Sequence, residues 1–347
     1  MEGARGVGKP GGVASLRRPA AWAVALLALG VACTTPALAD PPVPGNTDTA
    51  LHPDKSDFNE SAKGHGSLSV AYLNTYVNGF FLDSNTEAPN GAVHSQSIAL
   101  DLDYYPADKW SVHIGIPFVS NRYQGNLPHC PTTAPPQCAN QPALNPPHPE
   151  SQFLDDGNYH GTWADWRLGA SYHTHFGNYY VTPSITASFP SHDYVFFANA
   201  AVAQRIWQVE IASTVEHQFD FSNWYYRLGY GYVFAQRVLG KNADYHKFNA
   251  ELGYFFNDKL SLRAFTIGRI GNGYSAAELV PLTDGFTNNE WYHHDQTTEH
   301  SYFGVGVGVD CQIGDRYTWS TAVQRTVWGE SVFDFKYAFE TRLTRSF

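Results

Sequence analysis

The chain has 347 residues, of which 43% are apolar, 16% charged and 15% aromatic, with a net charge of −10 and a mean hydropathy of −0.33. So much apolar and aromatic material excludes a disordered chain, and outside the leader no run approaches the roughly 18 apolar residues of a spanning helix, which excludes a helix bundle in a membrane. The acidic balance excludes nucleic acid as an expected partner, because phosphate contacts need a basic face.

Residues 1–39 read as an export signal. Arg17 and Arg18 precede the apolar core "AAWAVALLALGVA", and Ala37-Leu38-Ala39 before Asp40 supplies the small-x-small cleavage pattern. Residues 40–65, rich in Pro, Asp and Asn and lacking an apolar period, are expected to be a flexible periplasmic segment.

From residue 66 the period becomes two. In "SIALDLDYY" Ile98, Leu100, Leu102 and Tyr104 alternate with Ser97, Ala99, Asp101 and Asp103. Next, Trp110, Val112, Ile114, Ile116 and Phe118 alternate with Ser111, His113, Gly115 and Pro117. Twelve such runs lie near 66–76, 96–105, 109–119, 162–173, 179–189, 201–216, 223–235, 245–256, 259–270, 299–313, 317–327 and 332–347. Pro117 and Pro183 need special placing in a sheet.

The connections after the even runs are short: "ADK", "THFGN", "HQFDFS", "ND" and "GDR". Those after the odd runs are mostly longer: 77–95, 120–161, 190–200, 236–244 and 271–298, with "WGES" the last. An even number of short strands joined alternately by short and long loops is the pattern of an outer-membrane barrel, with the short turns in the periplasm. The expected fold is therefore all-β: a membrane-spanning antiparallel up-and-down barrel of about 12 strands over residues 66–347, in the bacterial outer membrane.

A soluble β-sandwich alternates too. Three features favour the barrel. The apolar face carries aromatics towards its ends, such as Trp110, Phe118, Tyr226 and Phe234, as interfacial girdles require. In lipid every strand must be hydrogen-bonded on both sides, which a closed meander achieves. The other face is charged, with Asp101, Asp103, His113, Asp165, Arg167, Glu210, Glu216, Arg227, Glu251, Arg263, Asp334, Lys336, Glu340 and Arg342 expected to line the lumen. These groups either border a water-filled path or form a salt-bridged, filled interior, and their mixed sign argues against a strongly ion-selective pore.

Cys33 leaves with the leader, whereas Cys130 and Cys138 bracket "PTTAPPQ" and are expected to form a disulfide. Cys311 reads as a small buried or lipid-facing residue. The histidines of two long loops, His129, His148 and His160 in one and His293, His294 and His300 in the other, have no fixed metal-ligand spacing. They are expected to be solvated, with no metal and no cofactor, in loops at 120–161 and 271–298 that gate the mouth.

An embedded hydrolase is the enzyme alternative. Its candidate, Ser213 among Val209, Ile211 and Val215, has no partner histidine and no G-x-S-x-G elbow, so no enzyme is expected. A TonB-dependent receptor would need an N-terminal plug domain, and an autotransporter translocator a passenger.

The segment "YAFETRLTRSF" is similar to the C-terminal signal of bacterial outer-membrane proteins, with Phe339, Leu343 and Phe347 at its apolar places and Thr341 and Arg345 departing from it. The resemblance implies recognition by the barrel-assembly machinery. In this strand Phe333, Phe335, Tyr337, Phe339 and Leu343 are expected to face outer-membrane lipid. The stretches "DWRLGASYHTHFGNYYVTPSITASFPSHDY" and "TVWGESVFDFKYAFETRLTRSF" resemble the outer-membrane family named for the meta-pathway of phenol degradation. That likeness implies passive uptake of small molecules, hydrophobic or aromatic ones included, and brings no catalytic residues. The alternative is a structural or adhesive surface barrel with binding loops and a closed interior.

Overall fold

The two-residue alternation is realised as one antiparallel sheet that closes on itself. The computed structural model describes residues 62–82, 85–131, 138, 152–275 and 288–347. The leader, residues 40–61 and His148 lie outside these described residues.

The strands are β1 (Gly66–Phe81), β2 (Glu87–Ala107), β3 (Trp110–Gln124), β4 in three pieces (His160–Trp163, Trp166–Tyr172, Thr174–Phe176), β5 (Tyr179–Phe189) and β6 (Gln208–Gln218). They continue as β7 (Trp224–Ala235), β8 (Tyr245–Asn257), β9 (Leu260–Gly271), β10 (Ser301–Ile313), β11 (Tyr317–Glu330) and β12 (Val332–Ser346). With β4 counted once, the barrel has 12 strands. Each strand pairs with its sequence neighbours, and β12 pairs with β1 from Ser67↔Ser346 to Phe81↔Val332, so no sheet edge meets lipid. Two short helices, α1 (Asn288–Tyr292) and α2 (His294–Thr297), precede β10.

The outward residues form the apolar belt of an outer-membrane barrel: Val70, Leu100, Ile114, Leu168, Ile211, Leu252 and Leu343 are all exposed. Aromatic pairs fringe it. At the short-turn end Trp110 packs on Tyr172 and Trp224 on Tyr254, each at 5.0 Å; at the long-loop end Phe118 packs on Trp163 at 5.4 Å and Phe189 on Trp207 at 5.2 Å. Cys311 lies on this outward face, half-buried. Gly177 and Gly314 supply the positive φ, +59° and +64°, that two of the short turns need.

The wall departs from the sequence expectation in four places. The connection expected over 77–95 is mostly strand, because Val77, Phe81 and Val93 are buried on the inner face and hold β1 and β2 in register to Phe81↔Glu87. The sixth strand begins at Gln208 rather than 201, since 201–206 belong to a segment folded inside the barrel.

The fourth strand breaks at Ala164-Asp165, opposite Ile116-Pro117 of β3: pairing with β3 runs from Trp110↔Tyr172 to Gly115↔Arg167 and resumes at Phe118↔Trp163. The proline therefore sits where the ladder is already interrupted and its missing N–H breaks no bond on that side. Finally, β12 pairs Tyr76↔Tyr337 and next Val77↔Phe335, so a register shift turns Phe335 inward onto Val77 and Phe81 instead of towards lipid.

Candidate functional site

The inner face has two different halves. Towards the short turns it is a belt of ion pairs, because a charge buried in a barrel is tolerable only beside its opposite. Asp101 on β2 is 2% exposed and accepts from Arg167 Nη2 of β4 at 3.1 Å and from Arg342 Nη1 of β12 at 3.3 Å. Arg342 Nε also donates to Glu340 at 3.0 Å, and His113 lies 3.0 Å from Asp103 and 3.6 Å from Asp101.

A second chain of charges crosses five strands. Glu216 of β6 meets Arg227 of β7 at 2.6 Å, Arg227 meets Glu251 of β8 at 3.7 Å, Glu251 meets Arg263 of β9 at 3.2 Å, and Arg263 meets Asp310 of β10 at 3.1 Å. Lys247 and Glu210 form a further pair at 2.7 Å.

Small residues beside the paired charges make these reaches possible. A Cβ on Gly115 would stand 2.8 Å from Asp101 Oδ1 and 2.9 Å from Arg167 Nε, and one on Gly308 would stand 3.1 Å from Arg263 Nε. The glycines of the inner face are thus the grooves in which the charged side chains lie.

Towards the long loops the inner face turns apolar. Val77, Phe81, Val93, Tyr123, Tyr302, Val332 and Phe335 form one buried cluster around Ala200, which comes from the connection between β5 and β6. Residues 194–206 of that connection are folded inside the wall, with Phe196, Phe197, Asn199, Ala200 and Ile206 almost fully buried. Tyr194 donates to Asp165 at the break in β4, and Asn121 of β3 donates to the Ala201 carbonyl at 2.6 Å. Burial, with the Asp165 carboxylate beside it, pushes the Tyr194 phenol well above its ordinary pKa. Asp165 therefore anchors the inner segment rather than the belt. At the outer rim Lys336 pairs with Asp334 at 2.5 Å and Glu87 at 2.8 Å.

Three connections interlock here. Asp155 accepts from the backbone N–H of His129 at 2.8 Å, of Asn199 at 3.1 Å and of Ala200 at 2.9 Å, and from Asn199 Nδ2 at 2.8 Å. Burial alone would raise its pKa; the His129 side chain and these N–H donors outweigh burial and hold it below the usual carboxylate range. Asn199 Nδ2 also donates to the Leu127 carbonyl at 3.0 Å. From the other side, Gln204 Nε2 donates to the Asp295 carbonyl and Gln296 Nε2 to the Gln204 carbonyl, both at 2.6 Å.

Contrary to the expectation of solvated loop histidines, His129, His294 and His300 are buried in this assembly. Phe197 of the inner segment presents its edge to His129 at 5.0 Å, and Trp291 of α1 stacks on His294 at 4.2 Å. His160 remains at the rim, 2.8 Å from Asp156, and His293 is half-buried beside Gln296. Cys130 and Cys138 form a disulfide with Cα atoms 5.8 Å apart.

The run "FFANAAVA" at 196–203 was the missed signal: it is apolar at both parities, which a wall strand with a polar lumen face cannot be.

No family model matches the chain, and no curated protein matches it. Among solved structures it is similar to the COG4313 outer membrane channel from Pseudomonas putida F1, with a TM-score of 0.58 and 13% identity over 85% of this chain and 100% of that one. Weaker likenesses, to the CymD monoaromatic hydrocarbon channel (TM-score 0.41, 11% identity, 84% and 90% covered) and the KdgM porin (0.40, 8%, 80% and 99%), add nothing to the assignment of the fold. The closed 12-strand wall, its lipid-facing belt and the first of these likenesses make the chain a bacterial outer-membrane β-barrel.

Proposed function

We propose that the protein is a passive outer-membrane channel for small hydrophobic or aromatic molecules, with the long-loop mouth facing the cell exterior and closed by an interlocked plug. The observation that carries this reading is the division of the inner face. At the long-loop end a solute meets Tyr123, Phe335, Tyr302 and the plug aromatics, with charges there already tied up in pairs such as Lys336 with Asp334 and Glu87, which suits an apolar molecule. Deeper in, the belt of Asp101, Asp103, His113, Arg167, Glu210, Arg227, Glu251, Arg263, Glu340 and Arg342 borders the narrow remaining path. The sequence likeness to the phenol-degradation family and the structural likeness to a protein described as a channel support the same reading.

Entry needs the plug to shift, or a sideways route through the wall. The β11–β12 ladder ends at Gln324↔Ala338, beyond which β11 follows β10 to Ser301↔Glu330 and β12 follows β1 to Phe81↔Val332. The stretch without ladder bonds between these two arms, which Ser331 joins, is the lateral exit assigned to an apolar solute in this reading. Phe339, Leu343 and Phe347 address the strand to the assembly machinery.

The purified barrel in planar bilayers gives discrete conductance steps, and proteoliposomes admit small aromatic solutes faster than sugars of similar mass. Silence from both the wild-type chain and a plug-loosened Asp155→Ala variant, each folded and heat-modifiable, overturns the channel reading. A structural or adhesive barrel is the second reading, favoured by the Asp155 knot that holds the mouth shut, and that silence is its signature.

A further inference from the structure

The plug contains a group of side chains that the channel reading does not use. His129 from the connection after β3 and His294 from the start of α2 bring their Nε2 atoms to 2.9 Å. Asp295 places Oδ1 3.2 Å from His294 Nε2 and Oδ2 3.9 Å from His129 Nε2. One ligand atom from each of the three residues lies within 4.8 Å of the others.

The far sides of the two rings bear on what these atoms are. His294 Nδ1 is 2.7 Å from the Trp291 carbonyl, which only accepts, so this nitrogen carries the proton and Nε2 of the neutral ring is a lone pair. His129 Nδ1 lies 3.5 Å from Oδ2 of Asp155 with no hydrogen bond between them, so either nitrogen of that ring can carry its proton. With His294 Nε2 a lone pair, the 2.9 Å between the rings needs a positive centre, either a proton on His129 Nε2 or a metal ion.

We infer that His129, His294 and Asp295 form a binding site for a borderline divalent cation of the zinc class, which clamps the connection after β3 to the α1–α2 segment across the top of the plug. The chemistry of the set fits: two imidazoles and a carboxylate. Tetrahedral bonds of about 2.0–2.1 Å to such an ion put neighbouring ligand atoms about 3.3 Å apart, a value that the observed 2.9, 3.2 and 3.9 Å bracket. The outer partner of His294 fits as well, since metal-bound imidazoles characteristically give their other N–H to a carboxylate or carbonyl, here the Trp291 carbonyl at 2.7 Å, while Asp155 Oδ2 stands 3.5 Å from His129 Nδ1. Trp291 stacked on His294 and Phe197 edge-on to His129 hold both rings in plane and keep water away. Nothing in this inference depends on which solute crosses the barrel.

The test is zinc titration of the folded chain in detergent after chelator treatment, followed by calorimetry and by metal analysis of the desalted protein. The expected result is one zinc per barrel, with affinity lowered at least 100-fold in His129→Gln and in His294→Gln, lowered less in Asp295→Asn, and unchanged in His293→Gln. Heat-modifiability of each variant establishes that its barrel is folded. As a second readout, saturating zinc raises the thermal midpoint of the wild-type chain and leaves that of His294→Gln where it was. No stoichiometric zinc on a folded wild-type barrel overturns the inference and leaves a shared proton between the rings. Undiminished affinity in both His129→Gln and His294→Gln overturns it equally, because other histidines then hold the ion.

Discussion

Asp101 and Arg342 meet at 3.3 Å across the inner face although 241 residues separate them, and Arg167 completes the pair from the other side at 3.1 Å. One carboxylate thus holds two guanidiniums from strands flanking β1–β3. Replacing it with Asn takes from buried Arg167 the carboxylate it pairs with and leaves Arg342 to Glu340 alone, and the barrel loses about 3–5 kcal/mol. The check is the urea midpoint of tryptophan fluorescence in detergent. Leu100→Asp, one residue along and facing lipid, instead blocks insertion of the chain into vesicles while soluble yield is unchanged.

Gly115 tests the same pairing by geometry. A methyl group there stands within 3 Å of both Asp101 and Arg167. Gly115→Ala therefore lowers the same midpoint by an amount equivalent to about 1–3 kcal/mol, the range of core overpacking. Gly157, whose Cβ would meet nothing within 4 Å but whose φ is +87°, shows a smaller loss on the same substitution, set by backbone strain alone.

Asp155 predicts a change in function without loss of the wall. It gathers four hydrogen bonds from two connections, and none of its partners is a strand residue. Asp155→Ala should leave heat-modifiability intact while raising both single-channel conductance and trypsin cleavage after Arg205. Unchanged cleavage at Arg205 would show that the plug does not hang on this carboxylate.

His300 sets an acid limit on the plug. It is 3% exposed, its Nδ1 donates to the Ser331 carbonyl at 2.8 Å, and burial together with nearby Arg269 lowers its pKa to about 4, against smaller opposing pulls from that Ser331 bond and from Asp295. An unfolded histidine titrates near 6.5, so between pH 6.5 and about 4 the unfolded chain binds a proton that the folded chain refuses. The stabilisation is complete above pH 6.5 and fades as the pH falls towards 4, by at most about 3 kcal/mol. Thermal midpoints measured across this window fall less steeply in His300→Asn; His294, whose pKa burial also lowers to about 4, keeps the slope from vanishing.

What was legible in the sequence was whatever the lipid dictates. A strand with one face in hydrocarbon must alternate, so "SIALDLDYY" gave both the strand and the side of Asp101, and the count of 12 followed from the turns. The plug obeys no such period. Residues 196–203 are buried on all sides by contacts with β3, α1 and the Asp155 segment, and no local pattern encodes partners so far away in the chain. The inward turn of Phe335 was hidden for a related reason: a one-residue register shift reverses facing, and only the pairing with Val77 reveals it. His129 and His294 are 165 residues apart, so their meeting leaves no trace in ligand spacing.

The β1–β12 seam has a kinetic meaning. Each neighbouring hairpin can form with its own turn, but the pairs Ser67↔Ser346 to Phe81↔Val332 join the strands farthest apart in sequence. Drawing those strands together costs about 5 kcal/mol of chain entropy by the logarithmic loop law, and no ladder bond repays it until the seam aligns. High contact order of this kind makes the last step the slow one. Until that step, β1 and β12 are each a bare template on which a second unfinished copy can pair, so crowding during insertion should yield joined multimers rather than misfolded monomers.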